Sequence, residues 1–225
     1  MIKLPETCRL PQERILYQPY QRGNSNLFEQ LHFSKEEQKE MRESFAKLAI
    51  THSIQTSTVN ILEGQLIKQI PVITIELNQD DVNIKLIESL DKRLAVYPIY
   101  ILVKPDASQG LLVHYKEKLS HIKEGQRFKL LRRFETWEDI ELGFDGDTLD
   151  QVYDRLVKTV AKDDLVDNGR ATLKETVQET QLLAKLEKEA AQLKKKMYAA
   201  KSMRDQMTYK KAYKAKQKEI EGLIT

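Results

Sequence analysis

The stretch from Ile70 to Lys104, IPVITIELNQDDVNIKLIESLDKRLAVYPIYILVK, decides the fold. Its first part is β-branched and apolar with the two-residue period of a strand, and Pro71 within it marks a bulge or an edge position. Asp80 or Asp81 then caps a helix on which Val82, Leu86, Leu90 and Leu94 share one face. YPIYILVK follows, continuously apolar as a strand buried on both faces should be. Strand, helix and strand in this order predict two parallel strands joined by a right-handed crossover.

Working forward, Asp106 to Gly110 supply turn chemistry, so GLLVHYKE returns antiparallel, and a further strand through FKLLRRFETW follows a turn at Gly125. Asp145, Gly146 and Asp147 cap a helix from Thr148 to about Lys162, with Leu149, Val152, Tyr153, Leu156 and Val160 facing inward. Working backward, TVNIL from Thr58 reads as a strand. Ser34 and Glu37 form a capping box for a helix near residues 35 to 50, on which Met41, Phe45, Leu48 and Ala49 recur. The first thirty residues, punctuated by Pro5, Pro11, Pro19 and Gly23, read as extended segments and turns with little regular structure. The expected fold is α+β: a mixed β-sheet with flanking helices, followed by a long C-terminal helical tail.

Length and composition support that division into an N-terminal segment (1–33), a mixed α/β domain (34–167) and a basic helical region (168–225). The chain has 225 residues, enough for one well-buried domain with an appendage. AKDDLVDNGR has linker composition, and helix formers run without proline after it as far as Gly222. Residues 171–225 carry 13 Lys and Arg against 7 Asp and Glu, a net of +6, whereas residues 1–170 carry 24 against 27, a net of −3.

Within the tail, Leu183, Leu186, Ala190, Leu193, Met197, Ala200, Arg204 and Met207 follow alternating spacings of three and four. Tyr213, Lys216, Ile220 and Leu223 repeat the pattern out of phase. A stutter, or a reversal near Ser202 to Tyr209, must separate the two sets, so the tail is either a coiled coil or a helical hairpin. Either form has an apolar seam too narrow to stand alone.

Several classes of chemistry find no support. Cys8, the one cysteine, sits in a mobile-looking segment and forms neither a disulfide nor a thiolate metal cluster, which fits a reducing compartment. No apolar leader and no stretch of about 18 apolar residues occurs, so a cytoplasmic protein without a membrane span is expected. His32, His52, His114 and His121 are scattered without metal-ligand spacing, and no phosphate-binding glycine loop is present, so no metal or other cofactor is expected. A metal-dependent nuclease would draw on Glu63, Glu76, Asp80 and Lys104, but the strand reads Ile75, Glu76, Leu77, Asn78 where an acid, spacer and lysine should stand. Trp137, flanked by acids, reads as a core or rim anchor.

The strongest signal is the run of cations in the tail. Lys194, Lys195, Lys196, Lys201, Arg204, Lys210 and Lys211, interleaved with Tyr198, Tyr209 and Tyr213, have the charge to neutralise phosphates without reading bases. A protein-protein coiled coil, including a structural homodimer, is the competing expectation.

The chain also resembles a bacterial family, domain of unknown function 4391. The resemblance rests on TVNIL through IPVITIEL, on IESLDKRLAVYPIYILVK, on the strand ending at Tyr115 and Lys116, on the ETW element, and on the charged C-terminal helix with Gln206 and Lys210. It implies a protein encoded beside helicases and DNA methyltransferases in restriction-like or antiphage clusters. The combined expectation is a non-catalytic accessory subunit that docks on such an enzyme, with the nuclease and the homodimer as alternatives.

Overall fold

Strand β4 (Ile70–Leu77) and strand β5 (Ile99–Val103) pair in parallel, from Val72 opposite Ile99 to Glu76 opposite Val103, and helix α4 (Ile84–Arg93) connects them. This is the arrangement expected from the sequence. The computed structural model describes residues 1–162, 165 and 173–224, in two compact units, Met1–Ala161 and Lys162–Thr225. The linker AKDDLVDNGR, with the domain boundary expected near residue 168, falls largely outside the described residues.

The first unit opens with β1 (Ile2–Lys3), a 3₁₀ turn at Glu6–Cys8 and β2 (Arg9–Tyr17). Helices α1 (Asn24–Gln30) and α2 (Lys35–Ser44), strand β3 (Phe45–Ile54) and the single helical turn α3 (Thr56–Val59) precede β4. After β5 come β6 (Gln109–Lys123), β7 (Gln126–Thr136), β8 (Ile140–Glu141) and α5 (Leu149–Ala161). Among the described residues the main sheet has six strands in sequential order, β2 to β7, all neighbours antiparallel except β4 and β5. The mixed α+β class is therefore as expected. The β6–β7 hairpin turns through Glu124 and Gly125, both at positive φ (52° and 76°), as a two-residue connection between twisted strands requires.

Three local expectations are corrected. The helix begun at Ser34 stops at Ser44, and residues 45–54 form a strand. A bulge explains the deception: Phe45 faces Leu77 and Leu48 faces Ile75, so three residues of β3 cover the span of two on β4. Two core-facing residues thereby acquire the spacing of a helix. The TVNIL segment is a helical turn followed by Asn60 at φ 55°, because the Gln55 amide and the Thr58 hydroxyl satisfy each other's backbone groups. The N-terminal thirty residues contain a nine-residue edge strand and a helix, hidden from pattern reading by register shifts after Arg9 and Ile15.

Smaller differences have equally local causes. Asn83 caps α4, its side chain accepting from the Leu86 amide at 3.2 Å, in place of Asp80 or Asp81. Pro71 lies near the start of a central strand, where its missing N–H costs little. Cys8 is fully buried, its thiol donates to the Pro5 carbonyl, and burial pushes its pKa up to about 11.

One face of the sheet buries Leu48, Ile73, Ile75, Tyr100, Leu102 and Leu112 with Met41 of α2 and Leu86, Ile87 and Leu90 of α4. At about 1.5–3 kcal/mol for each buried side chain, this layer contributes a large share of the stability of the unit. Glu37 fastens α2 to α4: it accepts from Arg93 at 2.8 Å and from Ser89, while its second oxygen takes the Ser34 amide. Burial opposes ionisation of Glu37, but these donors outweigh it and hold the carboxyl below its ordinary range.

The second unit consists, among the described residues, of α6 (Leu173–Ala199) and α7 (Met203–Ile224), which contact one another. Ser202 starts α7, accepting from the Asp205 amide at 3.1 Å and donating to its carboxylate at 2.8 Å. Leu186 and Ala190 are buried and Leu183, Leu193 and Met197 half-buried, so the first apolar set lies along α6 as expected. Arg204 and Met207 are exposed, because the break at Ser202 ends the seam before them. In α7 the half-buried positions include Tyr209, Tyr213, Lys216, Ile220 and Leu223. No helix among the described residues is long and apolar enough to cross a membrane.

Candidate nucleic-acid interface and a buried polar cluster

All seven cations singled out in the sequence, Lys194, Lys195, Lys196, Lys201, Arg204, Lys210 and Lys211, are exposed. They occupy the end of α6, the connection and the first half of α7. None forms a salt bridge among the described residues, and Asp205, the acid in their midst, is engaged by the Ser202 cap. Neighbouring charges therefore add rather than cancel, giving a strongly positive end to this unit. Further along α7, Lys216 is neutralised by Glu189 at 3.2 Å and Glu219 at 2.9 Å, whereas Lys214 and Lys218 on either side of it are exposed.

The carboxylates nominated for a nuclease are each occupied or apart. Glu76 pairs with Lys47 at 3.5 Å, and Lys47 also pairs with Glu13. Glu63 pairs with Lys68 at 3.3 Å, whereas Asp80 lies in the bend between β4 and α4. The Lys104 ammonium sits 4.2 Å from the centre of the Trp137 ring. That ring rests against Gly110, where an added Cβ would come within 2.8 Å of it, making Trp137 the rim anchor expected. Among the described residues no group of three or more His, Cys, Asp or Glu has the geometry to hold a metal.

The histidines separate into different settings. His121 is exposed at the far end of β6, and His32 packs against Gly125. His52 hydrogen-bonds Thr51 at 2.9 Å, and burial, then the Arg9 charge, lower its pKa. It lines a cleft of about 830 Å³ between residues 1–13 and the β3–β5 face. The cleft carries Lys3 and Arg9 against Glu6, Glu13 and Glu141, a mixture that favours neither sign of ligand.

His114 belongs to a cluster that sequence reading missed. Asp91 of α4 accepts from Lys116 at 2.7 Å and Tyr100 at 2.8 Å on one oxygen, and its other oxygen lies 3.0 Å from His114 Nδ1. Lys116 also donates to the Asp91 and Val96 carbonyls at 3.2 and 2.8 Å, and its ammonium lies 4.2 Å from the Phe128 ring centre. The Tyr153 hydroxyl of α5 donates to the His114 carbonyl at 2.8 Å. Burial opposes the charge on Asp91, but Lys116 and His114 outweigh it and hold the carboxyl below its ordinary range.

Asp91 and His114 are each 1% exposed and Lys116 4%, so the cluster is closed to solvent and ties α4, β5, β6 and α5 together. Among the described residues His114 Nε2 has no hydrogen-bond partner. A signal existed in the sequence: Asp91 falls on the buried stripe of α4 beside Ile87 and Leu90, where an unpaired carboxylate would be costly. Its partners lie 9 to 25 positions away, beyond any local pattern.

These features define a class: a mixed-sheet α+β unit with a closed ionic core, joined in sequence to a two-helix unit with an exposed basic end. The family described as Domain of unknown function (DUF4391) matches residues 2–220, and the chain belongs to it. No curated protein and no solved structure matches.

Proposed function

We propose that this chain is a non-catalytic accessory subunit that binds the nucleic-acid backbone, without base preference, through the basic end of α6 and α7. The observation that carries this reading is the set of seven exposed cations without carboxylate partners among the described residues, clustered within 18 positions of the chain. In the first unit Lys47, Lys68, Arg93, Lys116 and Arg133 are paired, whereas Lys118, Lys123, Arg127 and Lys129 beside the β6–β7 turn are exposed like the tail cations. Unpaired surface charge of one sign attracts a polyanion, and affinity then grows as counterions are released from the phosphates.

The two helices act as a helical hairpin that projects this charge. Support comes from the ion pair between Glu189 and Lys216, 13 and 14 positions on either side of Ser202, and from the break at Ala200–Ser202. The α/β unit is then the surface for a larger enzyme. The family resemblance points to a helicase or DNA methyltransferase as that partner and to an antiphage or restriction-like setting.

The test is anisotropy of labelled duplexes of unrelated sequence against the full chain at several salt concentrations. Each phosphate contact should contribute about 0.9 to the slope of log affinity against log salt, and replacing the seven cations with glutamate should flatten it. Retained affinity and slope in that variant would exclude the tail as the contact.

A further inference from the structure

The basic end carries more than charge. Tyr198 is 72% exposed, Met203 76% and Met207 60%, the most exposed large apolar side chains among the described residues of the second unit. They alternate with the cations along the helices. Tyr198 follows Lys194 by four positions, which puts the two on one face of the end of α6, and Lys201 follows in the connection three positions on. Met203 and Met207 are likewise followed by Lys210, Lys211 and Lys214 along α7, and Met207 shares a groove with those three lysines. From Met203 to Lys214 this track runs about 17 Å, at about 1.5 Å per residue.

Charge alone does not account for these side chains. A duplex hides its base faces and presents phosphates, so an exposed tyrosine and two methionines against it would gain little. An unpaired strand presents both phosphates and base faces, and a ring or a polarisable thioether among cations matches that combination. We infer that the preferred ligand of this end is single-stranded nucleic acid, its phosphates on Lys194, Lys201, Lys210 and Lys211 and its bases against Tyr198, Met203 and Met207. The inference rests on the backbone-binding reading above and assigns it a substrate class.

The experiment compares three labelled ligands at one salt concentration with the full chain: oligothymidylate, a duplex of equal length, and a strand of equal length lacking bases. Oligothymidylate should bind about tenfold or more tighter than the other two, given about 1–3 kcal/mol for each stacked base. The variant Y198A/M203A/M207A should lose that advantage, with its duplex affinity and salt slope unchanged. These positions are exposed, so circular dichroism and melting should match the parent chain.

Equal affinity for strand and duplex, or an advantage that persists in the triple variant, would overturn the inference while leaving backbone binding in place. Absence of binding to all three ligands would overturn both readings.

Discussion

Lys116 and the lysines from Lys194 to Lys211 carry the same functional group in opposite settings. Lys116 is 4% exposed, held by the Asp91 carboxylate, two carbonyls and the face of Phe128. Lys194, Lys195, Lys196, Lys201, Lys210 and Lys211 are exposed and have no carboxylate partner among the described residues. A buried charge must be matched within the chain or the fold suffers; an exposed one costs the fold almost nothing and stays available to another molecule. The first therefore bears on stability and the second on binding.

The largest effect that would break this contrast lies in the core. Asp91→Asn leaves the Lys116 ammonium buried without its counterion and should destabilise the chain by about 3–5 kcal/mol, measured by urea denaturation. Adding Lys116→Met in the same chain should recover most of that loss, because the unmatched charge is gone. A double variant as unstable as the single one would show that shape, not charge, governs the cluster. Since the folded Asp91 carboxyl is held below its unfolded value, its contribution is present above the unfolded pKa, near 3.9, and is lost as pH falls through the folded one. The acid-induced decline in stability should be shallower in D91N.

Next in size is Asp154 on α5, whose pKa is raised to about 6 by burial and by Asp150, against a smaller opposing effect of Lys158. A raised carboxylate reverses the sign: its ionisation costs stability in full above the folded pKa, and the cost disappears below the unfolded one. Asp154→Asn should therefore stabilise the chain at pH 7.5 by on the order of 1 kcal/mol, allowing for solvent screening, with no gain below about pH 4. Melting curves across that interval test it. Ser34→Ala, which removes the cap of α2, should cost about 1 kcal/mol by the same method.

The smallest stability effect belongs to the tail. Replacing Lys194, Lys195 and Lys196 by glutamine should leave the urea midpoint within about 0.5 kcal/mol of the parent, while the salt slope of nucleic-acid binding falls by up to about 2.7. A large loss of stability would mean that these lysines serve the fold and would erase the contrast with Lys116.

Legibility followed the same divide. The β4–α4–β5 unit, the β6–β7 hairpin and α5 were readable because period, cap and turn residues lie within a few positions of one another. The basic end of the tail was readable because charge that stays in solvent needs no tertiary partner. β3 was misread because its bulge gives Phe45 and Leu48 the spacing of a helix, and that bulge exists only against β4. The Asp91 cluster was missed because its members come from four elements.

The amino-acid sequence by itself thus determined the mixed α+β class, the parallel pair at the centre of the sheet and the concentration of positive charge in the tail. Each depends on contacts or repulsions between near neighbours in the chain. Only the tertiary structure decided that residues 45–54 are a strand, that Cys8 is buried, and that Lys116 is matched while Lys194 to Lys211 are not. Which charges meet depends on separations in space that chain order does not encode, and burial makes each such meeting matter far more than it would in water.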